Sequence, residues 1–228
     1  DKPLIFAFQA NIYAVLVAKI LNAKIITRSN SAPSGWSNNF IKNKIYKTII
    51  KLADDVMVNS LDFKKSFKKK FNVNVECIYN PFDKNFIKKN LLNNKVKISF
   101  FKKGYLNVIS IGRLTDQKDH LTALKAIEIL EPDFKIKMII MGKGIKQSLL
   151  EKYIKDKNLG NKIKLIGYKK NPYPYLKISN IVLLTSKYEG LPNILLEAQY
   201  LKKYIISTNC PTGPKEILLN GTAGDLVK

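Results

Sequence analysis

The sequence is poor in the residues that build metal centres and disulfide frameworks. Its 228 residues include two cysteines, Cys77 and Cys210, and one histidine, His120. Two cysteines exclude a disulfide scaffold, and with a single histidine they exclude ordinary Cys/His zinc sites. They suit a reducing compartment. No D-x-D occurs, so a carboxylate-held metal has no obvious seat. Long apolar runs are also missing: the nearest, 11–26, is broken by Lys19 and Lys24, which argues against a spanning helix. No signal-peptide pattern opens the chain, which starts at Asp1. A cytoplasmic protein is expected, with peripheral attachment to the inner membrane face as an option.

Acidic residues are scarce, 17 against 40 basic, for a net charge of +23. Arginine is scarcer still: Arg28 and Arg113 stand against 38 lysines. An AT-rich genome would exchange Arg for Lys wherever either serves. The functional readings of the charge are an anionic membrane, nucleic acid or an anionic substrate. Under such a bias, a retained Arg marks a place that needs the planar five-donor guanidinium. Basic residues are spread over both halves: 20 against 6 acidic through Lys103 (+14), and 20 against 11 from Gly104 (+9). No nucleic-acid-binding motif accompanies them, so nucleic acid is not expected as a partner.

What is abundant is apolar sequence, 46% of residues, enough for a sizeable core. Short β-rich runs alternate with helical patterns. Strands are expected at 4–8, 24–28, 55–59, 75–79, 106–111, 136–141, 163–166, 181–185 and 204–207. Helices are expected near 10–21, 38–53, 60–71, 119–130, 145–157 and 192–201. Alternation of this kind implies parallel sheets covered on both faces, an α/β architecture. Pro81 marks a seam. Two Rossmann-like units are read at 1–81 and 104–228, joined by a polar, lysine-rich linker at 82–103. Both look truncated: no βα unit precedes the first strand, and GDLVK begins a last strand with no closing helix. A piece of a larger chain is expected.

The most informative stretch is TSKYEGLPNILLEAQYL, 185–201. Pro192 suits a first helical position, and the helix after it is nearly apolar all round yet carries Glu197. A carboxylate there needs partners. Glu189 lies eight residues earlier in the preceding loop. The two carboxylates are expected in one crevice at the C-terminal end of a parallel sheet, with helix N–H groups offered to a phosphate. In IGRLTDQKDHLTALKAI, 111–127, Gly112 follows a strand, and Arg113 and Lys118 flank a helix entrance, a plausible diphosphate clamp. His120 is read as structural. MGKGIKQSLL at 141–150 holds a G-x-G that lacks the third glycine and the distant acid of a dinucleotide site. NCPTGPKEILLNGTAG at 209–224 is a turn-rich loop in which Gly213 permits close approach and Glu216 opens a short helix.

In this order, GRL…K, strand-GxG-helix, IGY, EGLPNILLEA and TGPKE, the chain resembles the retaining nucleotide-sugar glycosyltransferases of family 4, glycosyl transferases group 1, with the GT-B fold. The likeness is specific over about 105–228 and looser over 1–81. It is nearest to bacterial members that build capsule, lipopolysaccharide or lipid-linked oligosaccharides. The resemblance implies two Rossmann-like domains facing a cleft. It implies a nucleotide-sugar donor, with UDP favoured, and a glycan or polyprenyl-diphosphate-linked acceptor. Arg113 and Lys118 would hold the donor diphosphate; Glu189 would meet donor-sugar hydroxyls and Glu197 the ribose. Gly112, Gly190, Leu191 and Asn193 would line the sugar and phosphate pocket, Ile166, Gly167 and Tyr168 would face the base, and Gly213 would lie nearby. Transfer would retain configuration without a metal or other cofactor. The family's glycine-rich first loop and acceptor-domain histidine are absent here. TRSNSAPSGW, 27–36, offers Arg28, Asn30 and Trp36 instead as acceptor-side candidates.

The helix expected at 38–53 is basic and amphipathic and suits an anionic leaflet, or simply covers the core with a solvated lysine face. Two alternatives belong to other readings of the same site: a non-catalytic nucleotide-sugar binder and a GT-B nucleotide-sugar epimerase. Truncation argues against activity of this stretch alone.

Overall fold

The computed structural model describes residues 2–8, 11–30, 39–92, 99–130 and 132–228. The chain divides into two compact units. One comprises Asp1–Pro81 with Tyr188–Pro192 and Cys210–Ile217; the other comprises Phe82–Lys187, Asn193–Asn209 and Leu218–Lys228.

In the first unit, β1 (Leu4–Ala7), α1 (Asn11–Ile20), β2 (Lys24–Ser29), α2 (Phe40–Ile50), β3 (Asp55–Val58), α3 (Leu61–Phe71) and β4 (Glu76–Cys77) alternate. The strands form a parallel sheet in the order β1-β2-β3-β4, with register pairs such as Phe6↔Ile26 and Arg28↔Met57. Helix α3 shows why the sequence folds this way. Phe63, Phe67 and Phe71 recur every four residues and are all fully buried, while lysines fill the other face. Successive rings of this spine lie 5.9 and 4.8 Å apart. Burying each stabilises the unit by roughly 1.5–3 kcal/mol. Ser60 caps the helix by accepting from Phe63 N–H at 3.2 Å, and left-handed Asn72 ends it.

The second unit starts with α4 (Lys84–Leu92), then β5 (Leu106–Ile111), α5 (His120–Leu130), β6 (Ile136–Met141), α6 (Gln147–Asp156), β7 (Ile163–Leu165), α7 (Tyr173–Ile178), β8 (Ile181–Leu184), α8 (Asn193–Tyr200) and β9 (Tyr204–Thr208). The short α9 (Pro214–Ile217) lies in the first unit's segment, and β10 (Asp225–Val227) ends the chain. The six parallel strands run β10-β9-β8-β5-β6-β7. Read from the β7 edge, in order of appearance, that is third, second, first, fourth, fifth, sixth across the sheet, the doubly wound order. Its direction reverses between β5 and β8, and the C-terminal ends of that pair mark the ligand-binding position of such sheets. All six residues of β6 are buried, as an interior parallel strand requires. The core joins Val108, Leu124, Met138, Ile140 and Leu150.

Most strand and helix positions follow the sequence pattern within a residue or two, and both sheets are parallel as expected. Three features differ. The segment 82–103, read as a linker without periodicity, contains α4 and belongs to the second compact unit from Phe82 onward. Only Ile87 of α4 is buried, and Phe86 packs edge-on against Tyr173 with ring centroids 6.1 Å apart. So short a buried stripe carries little periodic signal. Helix α7 lies in the unforeseen stretch NPYPYLKIS, where two prolines masked it. The loops 188–192 and 210–217 group with the first unit rather than with the strands on either side of them.

Candidate functional site

The loop after β5 is built by alternation. Leu114 turns into the core at 1% exposure, so Arg113 before it faces outward. Among the described residues, Arg113 hydrogen-bonds to Gln117 Oε1, at 3.1 Å. The stem of Lys118 crosses Gly112, with carbons 3.3–3.4 Å from where a Cβ on that glycine would stand. The structure thus brings the stem of Lys118 back to the residue preceding Arg113.

This loop is fixed from below. Thr185 Oγ1 lies 3.2 Å from Lys118 O and 2.9 Å from Asp119 O, and Lys187 N–H donates to Gln117 O at 2.8 Å. Asp119 sits at φ 44°, an uncommon left-handed conformation for a non-glycine residue. His120, 3% exposed, lies with Nδ1 3.1 Å from Ser110 Oγ. Burial pushes its pKa down to about 4, against a partial pull upward from the Gly112 backbone. Its structural role is therefore that of a neutral imidazole under the loop.

Around the same sheet, Ile166, Gly167 and Tyr168 follow β7. Gly167 takes φ 69°, and its carbonyl accepts from Gly142 N–H at 3.1 Å. Tyr168 is 63% exposed, with Lys143 Nζ 5.7 Å from its ring centroid. Helix α8 begins at Asn193, one residue after Pro192, and Asn193 is exposed at its first turn. Glu197 lies on the half-buried side of α8 and accepts from Tyr173 Oη–H at 3.3 Å. Burial raises the Glu197 pKa. Burial and the Glu197 carboxylate together push Tyr173 up to about 12. Tyr173 was not foreseen from sequence, because 24 residues separate it from the carboxylate it serves.

Glu189 groups with the first unit, so the two glutamates are surrounded by different sets of neighbours. Glu189 is 5% exposed; its N–H donates to Pro211 O at 3.0 Å and its carbonyl accepts from Thr212 Oγ1 at 2.6 Å. The next residues are held just as closely. Gly190 O accepts from Ser60 Oγ at 3.2 Å, and Leu191 O accepts from Asn80 Nδ2 at 3.4 Å. A Cβ on Gly190 would lie 2.2 Å from Asn30 O, and one on Gly213 would lie 2.5 Å from Gly190 O. Gly190, Leu191, Gly213 and Asn30 are thus brought together.

Two further residues of this unit are engaged. Arg28 donates to Asn80 Oδ1 at 2.9 Å, to Ile78 O at 3.1 Å and to Asn30 Oδ1 at 3.4 Å. Glu216, read from sequence only as opening a helix, accepts from Leu61 N–H and Asp62 N–H at 3.1 and 3.0 Å and from Tyr79 Oη–H at 2.5 Å. That carboxylate raises the Tyr79 pKa to about 12. Trp36 lies outside the described residues. Among the described residues no three His, Cys, Asp or Glu side chains gather as a metal site, and no helix is long and apolar enough to cross a membrane.

Residues 92–228 match the family model for Glycosyl transferases group 1. A glycosyltransferase of Methanocaldococcus jannaschii is 34% identical over 76% of this chain and 44% of its own length. The N-acetylgalactosamine-N,N'-diacetylbacillosaminyl-diphospho-undecaprenol 4-alpha-N-acetylgalactosaminyltransferase of Campylobacter jejuni is 26% identical over 100% of this chain and 63% of itself. The chain therefore spans roughly half to two thirds of these relatives. Among solved structures, Anabaena HepE in complex with UDP superposes with a TM-score of 0.77 at 18% identity, over 99% of this chain and 65% of that one. Staphylococcus aureus TarM superposes with a TM-score of 0.71 at 24% identity, over 91% and 41%.

Proposed function

The chain belongs to the Glycosyl transferases group 1 family and has the GT-B fold of its structural neighbours, and from that premise we propose that it supplies the donor side of a retaining glycosyltransferase. The donor is a UDP-sugar. The acceptor is a growing bacterial glycan or a polyprenyl-diphosphate-linked saccharide. The observation that carries this reading is the loop after β5, where Arg113 and the returning Lys118 stand at the point where the strand order reverses. Two cations on a rigid loop suit a diphosphate leaving group, whose charge grows as the glycosidic bond breaks.

In this mechanism Arg113 and Lys118 take up the negative charge of the departing UDP. Its phosphate oxygen then receives the proton of the attacking acceptor hydroxyl, on the face the leaving group vacates. Glu197, kept in place by Tyr173, accepts from the ribose, and Glu189 accepts from hydroxyls of the donor sugar. Gly112 and Asn193 in the second unit, and Gly190, Leu191 and Gly213 in the first, are the candidates to meet the donor's sugar and phosphates, and Ile166, Gly167 and Tyr168 those to meet its base. Arg28, Asn30 and Trp36 are the acceptor-side candidates. Neither a metal nor a cofactor takes part.

The relatives support these choices in their own right. HepE has been crystallised with UDP-glucose, and the Campylobacter enzyme acts on an undecaprenol-diphosphate saccharide by name. The test is turnover of the full-length protein with a panel of UDP-, GDP- and ADP-sugars, with the product's anomeric configuration read by NMR. A retained anomer, a UDP preference and rates unchanged by EDTA are expected. Inverted product would overturn the mechanism. Conversion of the nucleotide sugar without acceptor would favour an epimerase, and tight binding without turnover a non-catalytic binder.

We propose further that the protein works in the cytoplasm at an anionic membrane face, where a lipid-linked acceptor would lie. Helix α2 supports this, with Phe40, Ile41 and Ile45 80%, 67% and 52% exposed beside exposed Lys42 and Lys44. Flotation with anionic but not neutral vesicles is expected, and equal behaviour with both would count against it.

A further inference from the structure

The G-x-G of MGKG has no role in the site described so far, yet its glycines are the tightest packed in the second unit. Added to Gly142, a Cβ would lie 1.8 Å from Gly112 O; added to Gly144, it would lie 2.4 Å from Leu114 O and 2.8 Å from Leu114 N. These are main-chain atoms and cannot swing aside as a flexible side chain would. Hydrogen bonds complete the seam. Gly112 N–H donates to Met141 O and Leu114 N–H to Lys143 O, both at 3.0 Å, and Lys146 N–H donates back to Leu114 O at 3.0 Å. On the opposite side, Gly142 N–H reaches Gly167 O at 3.1 Å and Ile166 N–H reaches Ile140 O at 3.0 Å. Lys143 stands over the Tyr168 ring.

One turn therefore grips two loops, the one that carries Arg113 and the one that carries Tyr168. Its two glycines make that grip possible, since any side chain there would strike main chain. We propose that Gly142-Lys143-Gly144 is a positioning element that sets the diphosphate loop and the base loop in register without touching the donor. The inference rests on the donor reading above, since register matters only if both loops meet one ligand. Positioning of this kind acts on the chemistry through distance, where an error of about 1 Å can cost 100-fold in rate.

Two measurements on the full-length enzyme test it. In the first, hydrogen exchange is followed over 111–118 and 140–147 without nucleotide. Slow exchange at Leu114 and Gly142 is expected before any UDP is added. Exchange at the rate of an open loop, slowed only by UDP, would overturn the proposal, because the ligand would then be ordering the loops. In the second, UDP affinity is measured for Gly144→Ala, Arg113→Ala and the double variant. A fall of ten-fold or more is expected for Gly144→Ala, with Arg113→Ala adding little in that background, because the Arg is already misplaced. Independent, additive losses would show that the turn does not act through Arg113. Gly160→Ala is the control, since a Cβ there meets nothing within 4 Å. If Gly144→Ala fails to fold, the exchange result still decides. If the wild-type protein binds no UDP, the donor reading fails, while the exchange result still reports on the seam.

Discussion

The two arginines close two parallel strands in two different ways. Arg28, at the end of β2, is engaged inside its own unit: its guanidinium ties Ile78 O, Asn80 and Asn30 through Nε and Nη2. Arg113, just past the end of β5, touches Gln117 and otherwise points outward from a loop that other groups hold. The same contrast runs through the units that carry them. The first is knit largely by side chains, with a phenylalanine spine and with Glu216 gathering Leu61, Asp62 and Tyr79, although Gly190 and Gly213 also lie against main chain. The second fixes the loop that carries Arg113 chiefly with main-chain bonds and close glycine contacts, with Thr185 beneath it. A side chain that holds the frame keeps fewer of its donors for a ligand, whereas a frame made of backbone leaves its side chains available.

The largest expected effect bears on the first unit's spine. Phe67→Ala should cost about 3–5 kcal/mol in urea unfolding, in the range for a buried Phe truncation. A loss under 1 kcal/mol would mean that the spine is not what knits this unit. Next comes pH. His120 is neutral in the folded protein down to about pH 4, against 6.5 when unfolded. Its contribution is complete above pH 6.5 and falls away as pH drops toward 4, by about 3 kcal/mol in all. Comparing wild type with His120→Gln should show this loss only in the wild type; parallel curves would exclude it. Arg113→Ala should lower turnover of the full-length enzyme roughly 100-fold, the scale for losing one donor to a developing anion, with an unchanged melting temperature. The smallest effect is Arg28→Ala, about 1 kcal/mol of stability from a half-exposed set of hydrogen bonds, with UDP affinity intact. If Arg28→Ala instead lowered UDP affinity as far as Arg113→Ala, the contrast between the two would be gone.

Much of this was legible in the sequence because it is written locally. The β-rich runs, the Gly112-Arg113 turn and the heptad-free Phe63, Phe67, Phe71 spacing all lie within a few residues of one another. Helix α4 was not legible, since its one buried position, Ile87, and its aromatic partner Tyr173 are far apart in sequence. Tyr173 beneath Glu197, Thr185 beneath Lys118 and Tyr79 against Glu216 were hidden for the same reason: each pairing spans 24 to 137 residues. The purpose of Gly142 and Gly144 was hidden differently. Sequence shows that a glycine is present, but what a Cβ would strike is known only once two loops are laid side by side.

The backbone seam between Gly112, Gly142 and Gly167 also bears on how such a protein can change. N–H and C=O groups are the same in every residue, so bonds among them survive almost any replacement of the side chains around them. A chain held in this way can drift to 38 lysines and two arginines without moving its loops. The positions that cannot drift are then few: the glycines that let main chain lie against main chain, and the side chains that the frame leaves pointing outward.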